Sequence, residues 1–222
     1  MACDKNPQKI KNMFDEISPY YDKMNNFISL GTHFLLKYLA VKELGIKPRT
    51  MILDLCCGTG DFTKIITRFY PRAKIIGLDF SQNMLKIAKT KNPKGVFVQA
   101  DCTEIPFSED EFDYITMGFG LRNIKKRSKA LDEIYRVLNK GGKFLQIDFG
   151  NHNHFSKIFD LLVPLIAKIS GKNSEHYKYL LNSKKEFPNP DELIREFETH
   201  GFKYVKKCSY LFGTISAQIM QK

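Results

Sequence analysis

From residue 50 onward, short apolar runs alternate with stretches of helical periodicity, the pattern of a largely parallel sheet whose strands are joined by helices. Residues 50–55, 74–79, 96–100, 112–117 and 143–149 read as five strands, those over 50–55 and 112–117 buried. Phe62, Ile65, Ile66 and Phe69 share one face of a predicted helix over 61–69, and Ser81 caps a second that carries Met84, Leu85, Ile87 and Ala88. After the fourth strand, Ala130, Leu131, Ile134, Tyr135 and Leu138 form one helical stripe, which Gly141-Gly142 should end. Asn189-Pro190-Asp191-Glu192 opens a later helix and Gly201 closes it. Residues 204–210 and 214–220 then predict an antiparallel strand pair at one edge of the sheet, around Phe212-Gly213.

The same pattern divides a single domain into sections. Residues 1–48 form a helical lid segment, in which Leu35, Leu36, Leu39, Ala40 and Leu44 are spaced for a buried stripe and 18–26 is both polar and aromatic. Residues 49–150 are the alternating strand–helix core, 151–189 an insertion with a lipophilic stretch at 155–169, and 190–222 the final helix and strand pair.

Composition narrows the class. In 222 residues, 43% hydrophobic and 27% charged, there is too much apolar material for disorder and too little chain for a multidomain machine. The polar start and the lack of ~18 uninterrupted apolar residues argue for a cytoplasmic protein. Cys3, Cys56, Cys57, Cys102 and Cys208 include no C-x-x-C pair, so free thiols are expected, with neither a disulfide framework nor a metal site. A net charge of +11 suggests a polyanion, nucleic acid or an anionic membrane surface, yet 28 of the 35 cations are Lys, which scattered over a surface serve solubility alone.

The chemistry concentrates where the first strand ends. Asp54-Leu55-Cys56-Cys57-Gly58-Thr59-Gly60-Asp61 places a Gly-rich turn at the carboxyl edge of a parallel sheet, where such folds bind ligands, although a plain tight turn uses glycine as well. Thr63 stands where the dinucleotide fingerprint requires its third glycine, so NAD recedes. Asp79 ends the second strand, where a carboxylate can accept both hydroxyls of a ribose, and Asp101 follows the third, within reach of an adenine amine; each can also serve as a turn cap.

These residues resemble class I S-adenosylmethionine-dependent methyltransferases. The match narrows with Phe14 to Asn25, Ser29-Leu30-Gly31-Thr32-His33 and Phe119-Gly120-Leu121-Arg122-Asn123, which resemble the UbiE/MenG family of ubiquinone/menaquinone biosynthesis C-methyltransferases, nearly end to end. The resemblance implies a Rossmann-like α/β fold with a seven-stranded, mostly parallel sheet, one antiparallel edge strand and helices on both faces. It also implies that S-adenosylmethionine, with no metal, is held by Gly58, Thr59 and Gly60 at its methionine part, by Asp79 with Phe80 at the ribose and by Asp101-Cys102 at the adenine, while Asp54 orients the loop. Gly118 belongs to this site, but it replaces a serine that touches the cofactor in some members.

The acceptor it implies is a demethylated isoprenoid quinol, of the naphthoquinol or benzoquinol kind. Its ring carbon needs a lost hydroxyl proton and a cation near the developing oxyanion, roles assigned to Arg122 and Asn123, with Tyr21 and Asp22 closing over the site. Asn25, His33, Phe119, Asp148, Phe159 and Tyr177 are the candidate acceptor contacts; His33 and Asp148 serve equally well as packed or capping residues. The expected partners are that lipid quinol and an anionic membrane face, with a homodimer compatible and nucleic acid disfavoured. Two other readings stay open: a methyltransferase acting on another small molecule or RNA, and a cofactor-binding regulator without turnover.

Overall fold

A computed structural model describes residues 4–151, 156–157, 160 and 174–222. Three helices lead in, α1 (Pro7–Ile17), α2 (Tyr21–Ile28) and α3 (His33–Leu44), with a short 3-10 turn, Ser18–Tyr20, between the first two. The core then alternates β1 (Met51–Leu55), α4 (Asp61–Phe69), β2 (Lys74–Asp79), α5 (Gln82–Lys91), β3 (Val96–Gln99), β4 (Phe112–Gly118), α6 (Arg127–Val137) and β5 (Leu138–Phe149). After the insertion come α7 (Ser174–Lys185), α8 (Pro190–Thr199), β6 (Lys203–Tyr210) and β7 (Ile215–Gln221).

The seven strands lie in the order β3-β2-β1-β4-β5-β7-β6. The first five run parallel, and β7 runs antiparallel to both β5 and β6, so the expected antiparallel pair closes one edge with β7 as the reversed strand. Crossing from β1 to β2 on one side and to β4 on the other makes β1 the switch point, and its carboxyl end the natural ligand crevice. Two apolar layers cover the sheet. One joins Leu53, Ile115, Met117 and Phe144 to Leu131, Ile134 and Phe197, and the other joins Ile52, Leu145 and Ile147 to Leu36, Val41, Leu44, Phe62 and Ile66.

Local departures from the sequence pattern have identifiable causes. Leu138 is not on the α6 stripe: its backbone is already extended (φ −78°, ψ 133°) and it pairs with Phe112 as the first residue of β5. Gly141-Gly142 therefore does not stop the helix but lies within a strand, where Gly141 takes a left-handed φ of +78° and is tied to Lys222. On α3 the buried stripe is rotated by one residue, to Leu36, Lys37, Ala40, Val41 and Leu44, leaving Leu35 and Leu39 exposed. Burying Lys37 is tolerated because it finds Asp61 at 2.8 Å. Phe69, at the end of α4, is also exposed rather than buried, its ring against Tyr38.

Candidate active site

The loop that follows β1 is shaped by three left-handed residues, Cys56 (φ 52°), Gly58 (φ 54°) and Gly60 (φ 81°). At Gly60 the requirement is double, since a Cβ would also sit 3.0 Å from the Cβ of Ala88 on α5. Beneath the loop, Asp54 accepts from Thr116 Oγ1 at 2.9 Å and from Thr63 Oγ1 at 3.4 Å. Burial pushes its carboxyl up to about 7 in spite of those hydroxyls. Asp79 accepts the backbone N–H groups of Gly58 and Ser81, both at 2.9 Å, and burial outweighs them to raise it to about 6.

Beside Asp79 opens a cavity of about 240 Å³. Of the residues expected in the cofactor site, Gly58, Asp79, Phe80, Asp101, Cys102 and Gly118 line it, together with Tyr21, Phe119 and Asn123. Asp54, Thr59 and Gly60 do not; Asp54 is buried beneath the loop and Thr59 is buried within it. A Cβ at Gly58 would meet nothing within 4 Å, so bare backbone faces the cavity there. That open backbone, the Asp79 carboxylate, and an apolar slot of Leu78, Met84 and Ala100 rimmed by Asp101 fit the methionine, ribose and adenine of S-adenosylmethionine. Gly118 is forced by packing: a Cβ would come 2.5 Å from the Phe62 ring, which explains the glycine where some members have serine.

The Thr59 hydroxyl points into a separate charged knot. It donates to Asp22 Oδ1 at 2.6 Å and accepts from Lys91 Nζ at 3.1 Å, while Lys91 also holds Asp22 Oδ2 and Asp61 Oδ1, each at 2.8 Å. Burial would raise the Asp61 carboxyl, but Lys37 and Lys91 together hold it far below the usual carboxylate range. The His33 imidazole, 3.6 Å from Asp61, is lowered by burial first and by Lys37 second. Asp22 therefore anchors α2 to the Gly loop instead of facing the cavity, and His33 belongs to the same knot. Asn25 is likewise outside the lining; its carbonyl accepts from Ser29.

Opposite, at the end of β4, Phe119 is held at φ 58°. Its carbonyl accepts from Arg122 Nη1 at 2.6 Å and from Asn123 Nδ2 at 3.2 Å. Arg122 is buried behind Phe119 and also reaches Asp148 Oδ1 at 2.9 Å, so neither of these charged residues lines the cavity. Burial raises the Asp148 carboxyl against the pull of Arg122. Asn123 does line it, and its Oδ1 accepts from the Tyr179 hydroxyl at 3.0 Å. Phe159 and most of the lipophilic stretch at 155–169 lie outside the described residues, as does the side chain of Tyr177.

The sequence reading missed three contributors. Asp15 accepts from Ser81 Oγ at 2.5 Å and pins α1 to the loop after β2; Lys91 ends a helix, where a basic residue is ordinary; and Tyr179 holds Asn123 from α7. Only their partners distinguish them, and those partners are 66, 69 and 56 residues away.

A profile of the ubiE/COQ5 methyltransferase family matches residues 2–222. The chain belongs to this family. It is similar to the demethylmenaquinone methyltransferase of Staphylococcus carnosus, 37% identical over 97% of this chain and 93% of that one, and to that of Staphylococcus aureus, 35% identical over 100% and 97%. Among solved structures, an S-adenosylmethionine-dependent methyltransferase from Thermotoga maritima shares the fold, with TM-score 0.72, 18% identity and coverage of 95% of this chain and 99% of that chain. This member of the ubiE/COQ5 family is an S-adenosylmethionine-dependent methyltransferase with the class I fold. Among the described residues, no helix is long and apolar enough to cross a membrane.

Proposed function

We propose that the protein methylates a ring carbon of a demethylated isoprenoid quinol, with demethylmenaquinol as the acceptor. The observation that carries this reading is the wall formed by Phe119 and Asn123 beside Gly118: an aromatic face and an amide at one end of the cofactor cavity, backed by a buried arginine. The similarity to two demethylmenaquinone methyltransferases, over nearly their whole length, supports the same acceptor.

Bound in the cavity, the cofactor supplies an electrophilic methyl group on a sulfonium. The chain's own residues then have to align an aromatic carbon with it, exclude water and favour loss of the quinol proton. Phe119 offers a flat apolar contact, held rigid by two hydrogen bonds to its carbonyl. Asn123, whose amide keeps a second N–H beyond its bond to Phe119, and Tyr21 are polar lining residues that can serve an acceptor oxygen. Arg122, its charge paired with Asp148, is a positioning residue that acts through the Phe119 carbonyl. Asp22 is a positioning residue, fixing α2 and with it Tyr21 against the Gly loop.

On this reading the protein works at the face of a membrane that stores the quinol. The test is mass spectrometry of lipid products from purified protein, S-adenosylmethionine and dithionite-reduced demethylmenaquinol. One added methyl on the reduced form alone is expected. No product in the presence of bound cofactor overturns the assignment, and product only from a benzoquinol precursor moves it to the other quinone class.

A further inference from the structure

The turn between α2 and α3 carries the most exposed large apolar side chains of the lead-in segment. Leu30, at its tip, is 84% exposed, with Phe27 at 57% and Leu35 at 54% on the flanking helix turns. Leu30 also holds a left-handed φ of 51°, an unfavourable backbone for a leucine that leaves its side chain standing off the surface. The N–H groups and hydroxyls of this turn are satisfied from within. Ser29, Leu30, Gly31 and Thr32 donate their N–H groups to Asn25, Phe27, Asn26 and Ser29, and the Ser29 and Thr32 hydroxyls donate to carbonyls of the same turn. A turn with that property can enter the membrane interface without stranding those donors, its free carbonyls being left to interfacial water.

Charge sets the kind of surface it meets. Lys23 is exposed about 6 Å along α2 from Phe27, and Lys42 is exposed about 10 Å along α3 from Leu35, with Leu39 between. The two carboxylates of these helices are neutralised: Asp22 by Lys91, and Glu43 by Lys206. What remains is an apolar tip with cations one to two helical turns behind it, the spacing of acyl boundary to headgroup.

We propose that the α2–α3 turn inserts into an anionic lipid bilayer, with Leu30, Phe27 and Leu35 at the acyl boundary and Lys23 and Lys42 at the headgroups. This rests on the reading of the acceptor as a membrane-dissolved quinol. Tyr21 opens α2 and lines the cavity, so one eight-residue helix, about 12 Å long, links the inserted turn to the site.

The experiment is sedimentation of the full chain with phosphatidylcholine vesicles, with and without phosphatidylglycerol, for wild type, Leu30→Asn and Phe27→Gln. Asn suits the left-handed backbone at position 30, and the thermal midpoint and cofactor affinity of each variant report that the fold is kept. Wild type should partition onto anionic vesicles, and each variant about tenfold less. Equal partitioning of wild type and variants, or no partitioning of wild type, overturns the proposal. Loss of a wild-type dimer in the variants, with vesicle binding unchanged, assigns the patch to a second copy and overturns it too. Turnover of a tail-less demethylated naphthoquinol, followed in parallel without vesicles, tests the acceptor reading separately; its failure leaves the vesicle result to stand by itself.

Discussion

Arg122 and Asn123, neighbours in the chain, donate to one acceptor, the carbonyl oxygen of Phe119, at 2.6 and 3.2 Å. Two donors on one carbonyl stabilise the left-handed backbone of Phe119 and aim its ring at the cavity. The pair therefore shapes the site before any acceptor arrives.

Replacing Arg122 by Ala strands the Asp148 carboxylate in the core without its cation, a loss of about 3–5 kcal/mol that urea unfolding would register. Arg122→Lys keeps the charge but not the guanidinium that spans Asp148 and Phe119. Turnover of the Lys variant should fall at least about tenfold while cofactor affinity stays within about twofold, a cost on the order of 1.4 kcal/mol in the barrier. Undiminished turnover of that variant would show that Phe119 does not depend on this contact.

Asp54 and Asp79 predict an unusual pH dependence. Their native pKa values of about 7 and about 6 lie above the ordinary carboxylate value of 3.8, so the native state binds more protons than the unfolded chain. Their contribution is complete below about pH 4 and is lost as pH rises through 6 to 7. His33, lowered by burial, works in the opposite sense, losing stability as pH falls through about 6.5. Comparison with Asp54→Asn isolates the carboxylate: the variant should gain thermal stability relative to wild type between pH 5 and pH 8, measured by calorimetry. A constant difference across that range would be inconsistent with a protonated Asp54.

The glycines of the loop separate folding from binding. Gly60→Ala meets both a left-handed φ and the Ala88 side chain, and should cost about 1–2 kcal/mol of stability or more. Gly58→Ala meets the φ alone in the protein, but its methyl would project into the cavity. Calorimetric titration with S-adenosylmethionine should find the larger loss of affinity at Gly58 and the larger loss of melting temperature at Gly60. The reverse order would remove Gly58 from the cofactor's path.

Lys91 joins α2, the Gly loop and α4 through three oxygens. Lys91→Met should raise the KM for the cofactor severalfold with a smaller effect on kcat, and Lys91→Arg should restore part of it. Combined with Asp22→Asn, the two changes should be non-additive by about 0.5–3 kcal/mol in cofactor binding. Strict additivity would mean that Lys91 holds Asp61 alone.

The alternation of the core, the Gly loop and the Asp79 strand end were legible because each rests on local spacing: a strand, a left-handed turn, a carboxylate at a fixed register. The direction of Thr59 was not. Its place in the motif is clear, but its hydroxyl answers to Asp22 and Lys91, which meet it only through the packing of α2 and α5. The same holds for Arg122, whose position beside Asn123 suggested a shared face, whereas the short 3-10 turn they occupy sends one side chain to the cavity and the other to Asp148. Leu35 and Leu39 misled for a different reason. A helix rich in leucine has two apolar stripes, and the Lys37–Asp61 pair decided which one turned inward.

The contact between Gly118 and Phe62 has an evolutionary consequence. A serine at position 118 is not accommodated in one step, because its Cβ would collide with a ring that is itself part of the core. Shrinking Phe62 first would open a void before any new cofactor contact compensated for it. The two positions are epistatically locked, so a side chain at 118 should be tolerated only together with a smaller residue at 62.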